Sequence, residues 1–231
     1  MTESERIARA YEQLEARGGS RWSLTNPGNR TILAERRREF RRLLREAGFT
    51  PLGERKVLEV GSGTGGELAW LTELGASPGC LTGVDLLPDR VATARREHPQ
   101  LDFRQGNAEH LEFGDAAFDL VMAITIFSSI LDRGMADNVA SEIVRVMRPG
   151  GALLWYDVRY DSVSNASVKG VGHARIRNLF PALHGSLRSV TLLPPLARRL
   201  GPATGVLYPT LASLPPLRSH LVGLLRKKPA R

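Results

Sequence analysis

The stretch EVGSGTGGEL, residues 59–68, places four glycines in six positions directly after the apolar run KVLEV (56–60). A loop this bare between a strand and the helical pattern ELAWLTEL is expected to reach positive φ and to let backbone approach a ligand. It also opens a helix, whose first amides have no partner within the helix and are expected to point at whatever lies there. An ordinary tight turn needs one or two glycines, so four read as a binding loop.

Working outward, the same alternation continues. CLTGVD (80–85), LDFRQG (101–106), FDLVMAI (118–124) and GALLWYD (151–157) are short apolar runs that fit buried strands. PDRVATARREH opens with a proline suited to a first helical turn, and MADNVASEIVRVM carries Val139, Ile143, Val146 and Met147 at spacings of three and four. Strand and helix in turn predict an α/β fold, with parallel strands joined by crossover helices and both sheet faces covered. Two late strands are expected at 186–193 and 219–227. The link 194–218 between them is rich in Pro, Leu and Arg and suits short helices forming a cap or a partner surface.

The 231 residues, 42% hydrophobic and 24% charged, suffice for one full-sized core. Its expected arrangement is an N-terminal helical cap over 1–53, two helices separated by the polar, turn-rich segment GGSRWSLTNPGNR (18–30), and a core over 54–231 that includes the 194–218 insertion. Cys80 stands alone, which removes a disulfide framework or Cys-rich zinc site and points to a reducing, cytoplasmic setting. No basic stub with an apolar stretch opens the chain, and the apolar region 206–217 is short and broken by prolines, so neither a secretory signal nor a transmembrane span is expected. The net charge of +8 suggests anionic partners. Its densest run, ERRREFRRLLRE (35–46), mixes in glutamates and reads first as a solvated helix face, which makes nucleic acid a minor reading.

Gly61, Gly63 and Gly66 satisfy the dinucleotide pattern GxGxxG, and Asp85 ends the next strand where a carboxylate can accept from both ribose hydroxyls. Any adenosine cofactor meets that description. Glu59 discriminates, because a carboxylate at the strand end is awkward beside a pyrophosphate and suitable beside an ammonium or sulfonium.

Taken together, VLEVGSGTG (57–65), GVD (83–85), GNAEHLEF (106–113), FDLV (118–121) and RPGG (148–151) resemble the class I S-adenosylmethionine-dependent methyltransferases, over residues 55–157. The resemblance implies a Rossmann-like, doubly wound seven-stranded sheet, six strands parallel and one antiparallel, with helices on both faces and the two late strands as its final hairpin. It implies S-adenosylmethionine as methyl donor, with S-adenosylhomocysteine as product. Backbone at Gly61, Ser62, Gly63 and Gly65 would hold the methionine part, Glu59 its amino group, Asp85 the ribose, and Leu86, Asn107 and Ala108 the adenine, with Ala123 at the end of the fourth strand beside them. Asn107 stands where Asp is commoner, and an amide oxygen can still accept from the adenine amino group.

Methyl transfer from a sulfonium depends chiefly on positioning, so a base is optional. Candidates for proton handling are Tyr156, Asp157 and His173, each with a structural alternative: packing for Tyr156, a loop cap for Asp157, an exposed helix start for His173. After the fourth strand the chain reads AITIFSS (123–129), without the Asn or Asp followed by two prolines that resembles the enzymes acting on base amines or glutamine amides. The acceptor is therefore expected to be a small molecule methylated at oxygen. Trp22, Arg159 and Arg175 are candidates for holding it, the arginines suiting an anionic acceptor. Asp157, Asp161 and Asn165 suggest a magnesium site only by loose spacing, and no metal is expected. An RNA-directed enzyme and a non-catalytic cofactor-binding subunit are the other readings, and a homodimer is possible.

Overall fold

A computed structural model describes residues 1–16, 23–162 and 165–229. Its sheet is built from β1 (Val57–Val60), β2 (Leu81–Asp85), β3 (Asp102–Gln105), β4 (Phe118–Ile124), β5 (Met147–Val158), β6 (Leu183–His184), β7 (Leu187–Leu192) and β8 (Arg218–Lys227). The order is β3-β2-β1-β4-β5-β8-β6, with β7 also on β8. The first five strands are parallel, and β8 runs antiparallel to β5.

The helices are α1 (Glu3–Ala16), α2 (Pro27–Glu46), α3 (Gly66–Trp70), α4 (Pro88–Glu97), α5 (Arg133–Val146), α6 (His173–Leu179), α7 (Pro194–Arg199) and α8 (Thr204–Ala212). Alternation along the strands sends side chains to two cores, as a doubly wound sheet requires. Val121, Ala123, Leu153 and Trp155 pack with Val139 and Ile143 of α5. Leu120, Met122, Leu154 and Tyr156 pack with Phe40 and Leu44 of α2 and with Trp70 of α3.

The sixth strand is broken in two. Leu183↔Lys227 and His184↔Arg226 continue, after Gly185 and Ser186, as Leu187↔Gly223, so β6 and β7 are one strand with an interruption. A Cβ on Gly185 would lie 2.3 Å from the Leu224 carbonyl oxygen, and one on Gly223 would lie 2.5 Å from that of Ser186. Only two glycines allow the backbones this approach. Counted as one, the broken strand gives the expected six parallel strands and one antiparallel.

Sequence and structure differ most before β1. The polar turn expected over residues 18–30 ends in a helix start: Asn26 accepts from the amides of Gly28 and Asn29, and Pro27 occupies the first turn. Asn26 Nδ2 also donates to the Arg198 carbonyl, and Arg198 Nε donates to Asn29 Oδ1, which seats α2 on α7. A Cβ on Gly28 would lie 2.3 Å from the Ala197 carbonyl oxygen. The basic run 35–46 is not simply a solvated face. Phe40 and Leu44 are fully buried, and Arg36 turns inward over the Tyr156 ring, 5.4 Å from its centroid.

Beneath Arg36 lies a buried polar network. The Tyr156 hydroxyl meets Thr191 Oγ1 at 2.9 Å, the Tyr156 ring stacks on His220 at 4.6 Å, and Ser219 Oγ lies 2.8 Å from His220 Nδ1. Thr191 sits at φ 65, costly for a β-branched residue, and is held there by Tyr156 and by Ser219 Oγ, which donates to its carbonyl.

Two predictions follow from this packing. Gly28→Ala is expected to cost about 2–3 kcal/mol in urea unfolding, because backbone must move to admit the methyl group. Burial and the Arg36 charge lower the His220 pKa to about 3, whereas burial raises Asp157 to about 6 against the opposing bonds from Ser128. Between pH 7 and pH 5 the unfolded chain therefore takes a proton on His220 that the folded chain refuses, which costs about 2 kcal/mol of stability. Over the same window folded Asp157 takes a proton that the unfolded chain does not, which returns about 1 kcal/mol. His220→Gln removes the first effect, so on acidification from pH 7 to pH 5 this variant should gain about 2 kcal/mol of stability relative to the parent; urea midpoints at the two pH values check it.

Candidate functional site

Strand order reverses between β1 and β4, and in such sheets ligands bind at the carboxyl ends of the strands beside that point. A cavity of about 130 Å³ opens there. One wall comes from loops that follow strands: Gly61 after β1, Asp85 to Leu87 after β2, Gly106 to Ala108 after β3, and Ile124 to Ile126 at the end of β4. The other comes from Ile7 and Tyr11 of α1, Ser129, Ile130, and Met135 and Val139 of α5.

The glycine loop is more occupied than its sequence suggests. The amides of Gly61 and Ser62 donate to the Val84 carbonyl at 2.8 and 3.1 Å, that of Gly65 to Ser62 at 2.9 Å, and that of Gly63 to Asp85 Oδ2 at 2.7 Å. These are not the free amides the bare loop predicts. Gly61, Gly63 and Gly65 all have positive φ, which explains why glycines are needed. At Gly65 the close neighbour is internal: a Cβ would lie 2.3 Å from the Phe103 ring. At Gly63 it would meet only Arg90, at 3.7 Å.

Asp85 is buried and bridges two loops, with Oδ1 accepting from the Leu87 amide at 2.9 Å. Leu86 and Ala108 line the cavity beside it. Asn107 also lines it, with Oδ1 taking the Glu109 amide and Nδ2 donating to Glu109 Oε2. Glu59 is buried on the α2 side of the loop, and its Oε2 has no hydrogen-bond partner; neither has the buried Ser62 Oγ. Burial and the nearby Glu67 carboxylate push the Glu59 pKa well above the usual range, against Arg36 and the Leu68 amide. Arg36 donates to Glu67 Oε1 at 2.5 Å, with a side chain 19% exposed. Burial works against its charge, and Glu67 outweighs that, leaving its pKa raised. A buried carboxylate oxygen without a donor, a neighbouring carboxylate and a cation, although none of the three lines the cavity, supply the charges that a zwitterion needs, so these residues fit the amino acid end of S-adenosylmethionine.

The other expected site residues lie off the cavity. Ala123 is buried in the α5 core, one residue before the wall. Tyr156 faces the opposite, α2 side, bonded to Thr191. Asp157 is fully buried behind the wall, where it accepts from the amides of Ser128 at 3.1 Å and Val158 at 2.8 Å. His173 is exposed at the start of α6. Arg175 reaches the rim and donates to the Ile130 carbonyl at 3.2 Å. Arg159 lies across the Tyr160 ring and donates to the Pro215 carbonyl at 3.4 Å. Trp22 lies outside the described residues.

Comparison with known proteins adds to this geometry. Residues 57–151 match the family model described as "Methyltransferase domain". Over these residues the chain is similar to a methyltransferase domain. Among curated proteins, the chain resembles a phthiotriol/phenolphthiotriol dimycocerosates methyltransferase of Mycobacterium ulcerans, 38% identical over half of this chain and 42% of that protein. It also resembles a fatty-acid O-methyltransferase of Mycolicibacterium smegmatis, 33% identical over 64% of this chain and 56% of that protein. The chain thus spans about half the length of the curated relatives it matches. Solved structures with the same fold include an S-adenosylmethionine-dependent methyltransferase from Mesorhizobium loti, with TM-score 0.60 and 15% identity over 80% of this chain and 95% of that one. Another, the [4+2]-cyclase SpnF, gives TM-score 0.58 and 21% identity over 80% and 78%. Outside the domain match, the sequence reading missed Ile7 and Tyr11; inside it, Arg90, Thr125 and Ser129. Tyr11 lies under Arg90 at 4.2 Å and 3.3 Å from Ser129 Oγ, while Thr125 adopts φ 53 at the wall. A β-branched residue at positive φ carries no signal in sequence.

Asp85→Ala is expected to weaken S-adenosylhomocysteine binding by about 2–3 kcal/mol, since charge-assisted bonds to ligand and loop are both lost. Calorimetric titration reads it, and unchanged affinity would place the ribose elsewhere.

Proposed function

We propose that this protein transfers a methyl group from S-adenosylmethionine to an oxygen of a small, apolar acceptor, and that a carboxylate oxygen suits the site best. The observation that carries this reading is the composition of the cavity wall. Beside the polar side chains of Asp85, Arg90, Asn107, Thr125, Tyr11 and Ser129 it carries the apolar set Ile7, Ile124, Ile126, Ile130, Met135 and Val139, and among the described residues it includes no further carboxylate and no histidine. A carboxylic acid has already lost its proton at pH 7, so such an acceptor needs no general base. The name of the fatty-acid O-methyltransferase relative supports the same acceptor class.

When bound, the cofactor supplies an electrophilic methyl on a sulfonium with a good leaving group. The chain's own residues do the positioning. Asp85 would take the ribose, Leu86, Asn107 and Ala108 the adenine, and the loop from Gly61 to Gly65 with Glu59 the methionine part. Arg36 would hold Glu67 and Glu59 in register and face the carboxylate of that part. Asp157 would fix the turn over residues 127–130 and act on the acceptor only through it. The cavity of about 130 Å³ is small against the several hundred ångströms cubed of ordinary ligand sites. Ligand entry would therefore displace Ile7 and Tyr11. That face is tied down by Arg6, which donates to the Ser129 carbonyl at 2.5 Å, and by Glu3 Oε1, which accepts from the Leu131 amide at 2.6 Å.

Two measurements test the reading. Transfer of label from S-adenosylmethionine into a long-chain fatty acid should be detectable, and its absence with carboxylates alongside turnover of an alcohol would move the acceptor to a hydroxyl. Burial and the Glu67 carboxylate push the Glu59 pKa up, and an ammonium beside it would favour its carboxylate form. S-adenosylhomocysteine binding is therefore expected to release up to about one proton, seen by calorimetry in buffers of different ionisation enthalpy. Glu59→Gln should abolish that release.

A further inference from the structure

The segment from α7 to the start of β8, residues 194–218, contains three arginines and no acidic residue. Its longest element, α8, has no charged residue at all. One side of α8 is buried: Thr204 and Tyr208 face inward, and Tyr208 donates to Glu35 Oε2 at 2.8 Å while receiving the Leu192 amide at 3.3 Å. The opposite side is bare. Val206 is 76% exposed, Leu207 42% and Leu214, just past the helix, 50%. Beside this face a groove of about 770 Å³ runs between α2 and α8, lined in part by Arg30, Arg38 and Arg218.

The charges in that groove are not neutralised. Arg30 donates to the carbonyls of Leu24 and Thr25, and Arg218 to those of Ala212 and Ser213, so both are oriented by backbone rather than by carboxylates. Among the described residues none of the three forms an ion pair, and the one carboxylate lining the groove, Glu35, is engaged by Tyr208. An uncharged aliphatic face flanked by oriented cations matches the boundary of an anionic bilayer, where apolar side chains enter the acyl region and arginines meet phosphates. Nucleic acid would favour aromatic side chains for stacking, and the exposed residues here are aliphatic.

We propose that the outward face of α8, together with the arginines of the adjoining groove, is a docking surface for an anionic lipid bilayer. It acts peripherally, since no helix among the described residues is long and apolar enough to cross a membrane.

The test is co-sedimentation of the full chain with vesicles of phosphatidylcholine containing phosphatidylglycerol, against vesicles of phosphatidylcholine alone. It involves neither cofactor nor acceptor, so its failure is separate from failure of the methyl-transfer reading. The parent protein is expected to pellet with the anionic vesicles only, and less at high salt. Val206→Asp combined with Leu207→Asp should weaken binding about tenfold or more, and Arg38→Glu about fivefold or more. All three positions are exposed, so unchanged circular dichroism should accompany the loss. The proposal is overturned if the parent stays in the supernatant with anionic vesicles, or if the double variant pellets as well as the parent. It is equally overturned if light scattering shows a dimer that the double variant dissolves, or if single-stranded RNA binds through Arg38 while vesicles do not.

Discussion

Three consecutive amides of the glycine loop are held by the end of β2: Gly61 and Ser62 by the Val84 carbonyl, and Gly63 by Asp85. The rest of the site depends on this tie. It fixes where β1 ends, aims Glu59 into the space beside α3, and sets Asp85 at the cavity with one lone pair per oxygen still available. The bare loop thus serves two ends, since its glycines permit both the positive φ values and the close packing of Gly65 on Phe103.

Around this tie the molecule arranges its charges by depth. Exposed pairs such as Arg42 with Glu46 contribute little. The inner set of Glu59, Glu67 and Arg36 is different, because a buried carboxylate beside another is stable only while protonated or countered by a cation. A carboxylate whose charge burial disfavours is stabilised in that form once an ammonium group lies beside it.

Much of this was legible in the chain. Alternating strand and helix patterns gave the layered sheet, and the five motifs located the loop, Asp85 and Asn107. What escaped was set by tertiary contact. The start of α2 looked like a polar turn because Asn26 and Asn29 cap a helix and bind α7, a function that resembles loop chemistry in one dimension. The inward turn of Arg36 could not be read from a run of six arginines that differ only in which face of the helix they occupy. The wall supplied by Ile7 and Tyr11 depends on α1 folding across the strand ends, and Tyr156 and Asp157 were placed at the right strand but without the facing that alternation imposes.

Helix α2 places neighbouring side chains in different surroundings. Glu35 is bonded to Tyr208 of α8, while Arg36 is bonded to Glu67 beside the glycine loop. At its beginning Gly28 touches the backbone of α7, and at its middle Phe40 meets Tyr156 edge-on at 5.9 Å. A helix of 20 residues seated so closely at its start has little freedom to slide or roll independently. It behaves as a beam shared by two compartments: a load applied at the α8 surface reaches the acidic pair through the single peptide unit that joins Glu35 to Arg36, with no intervening loop to absorb it.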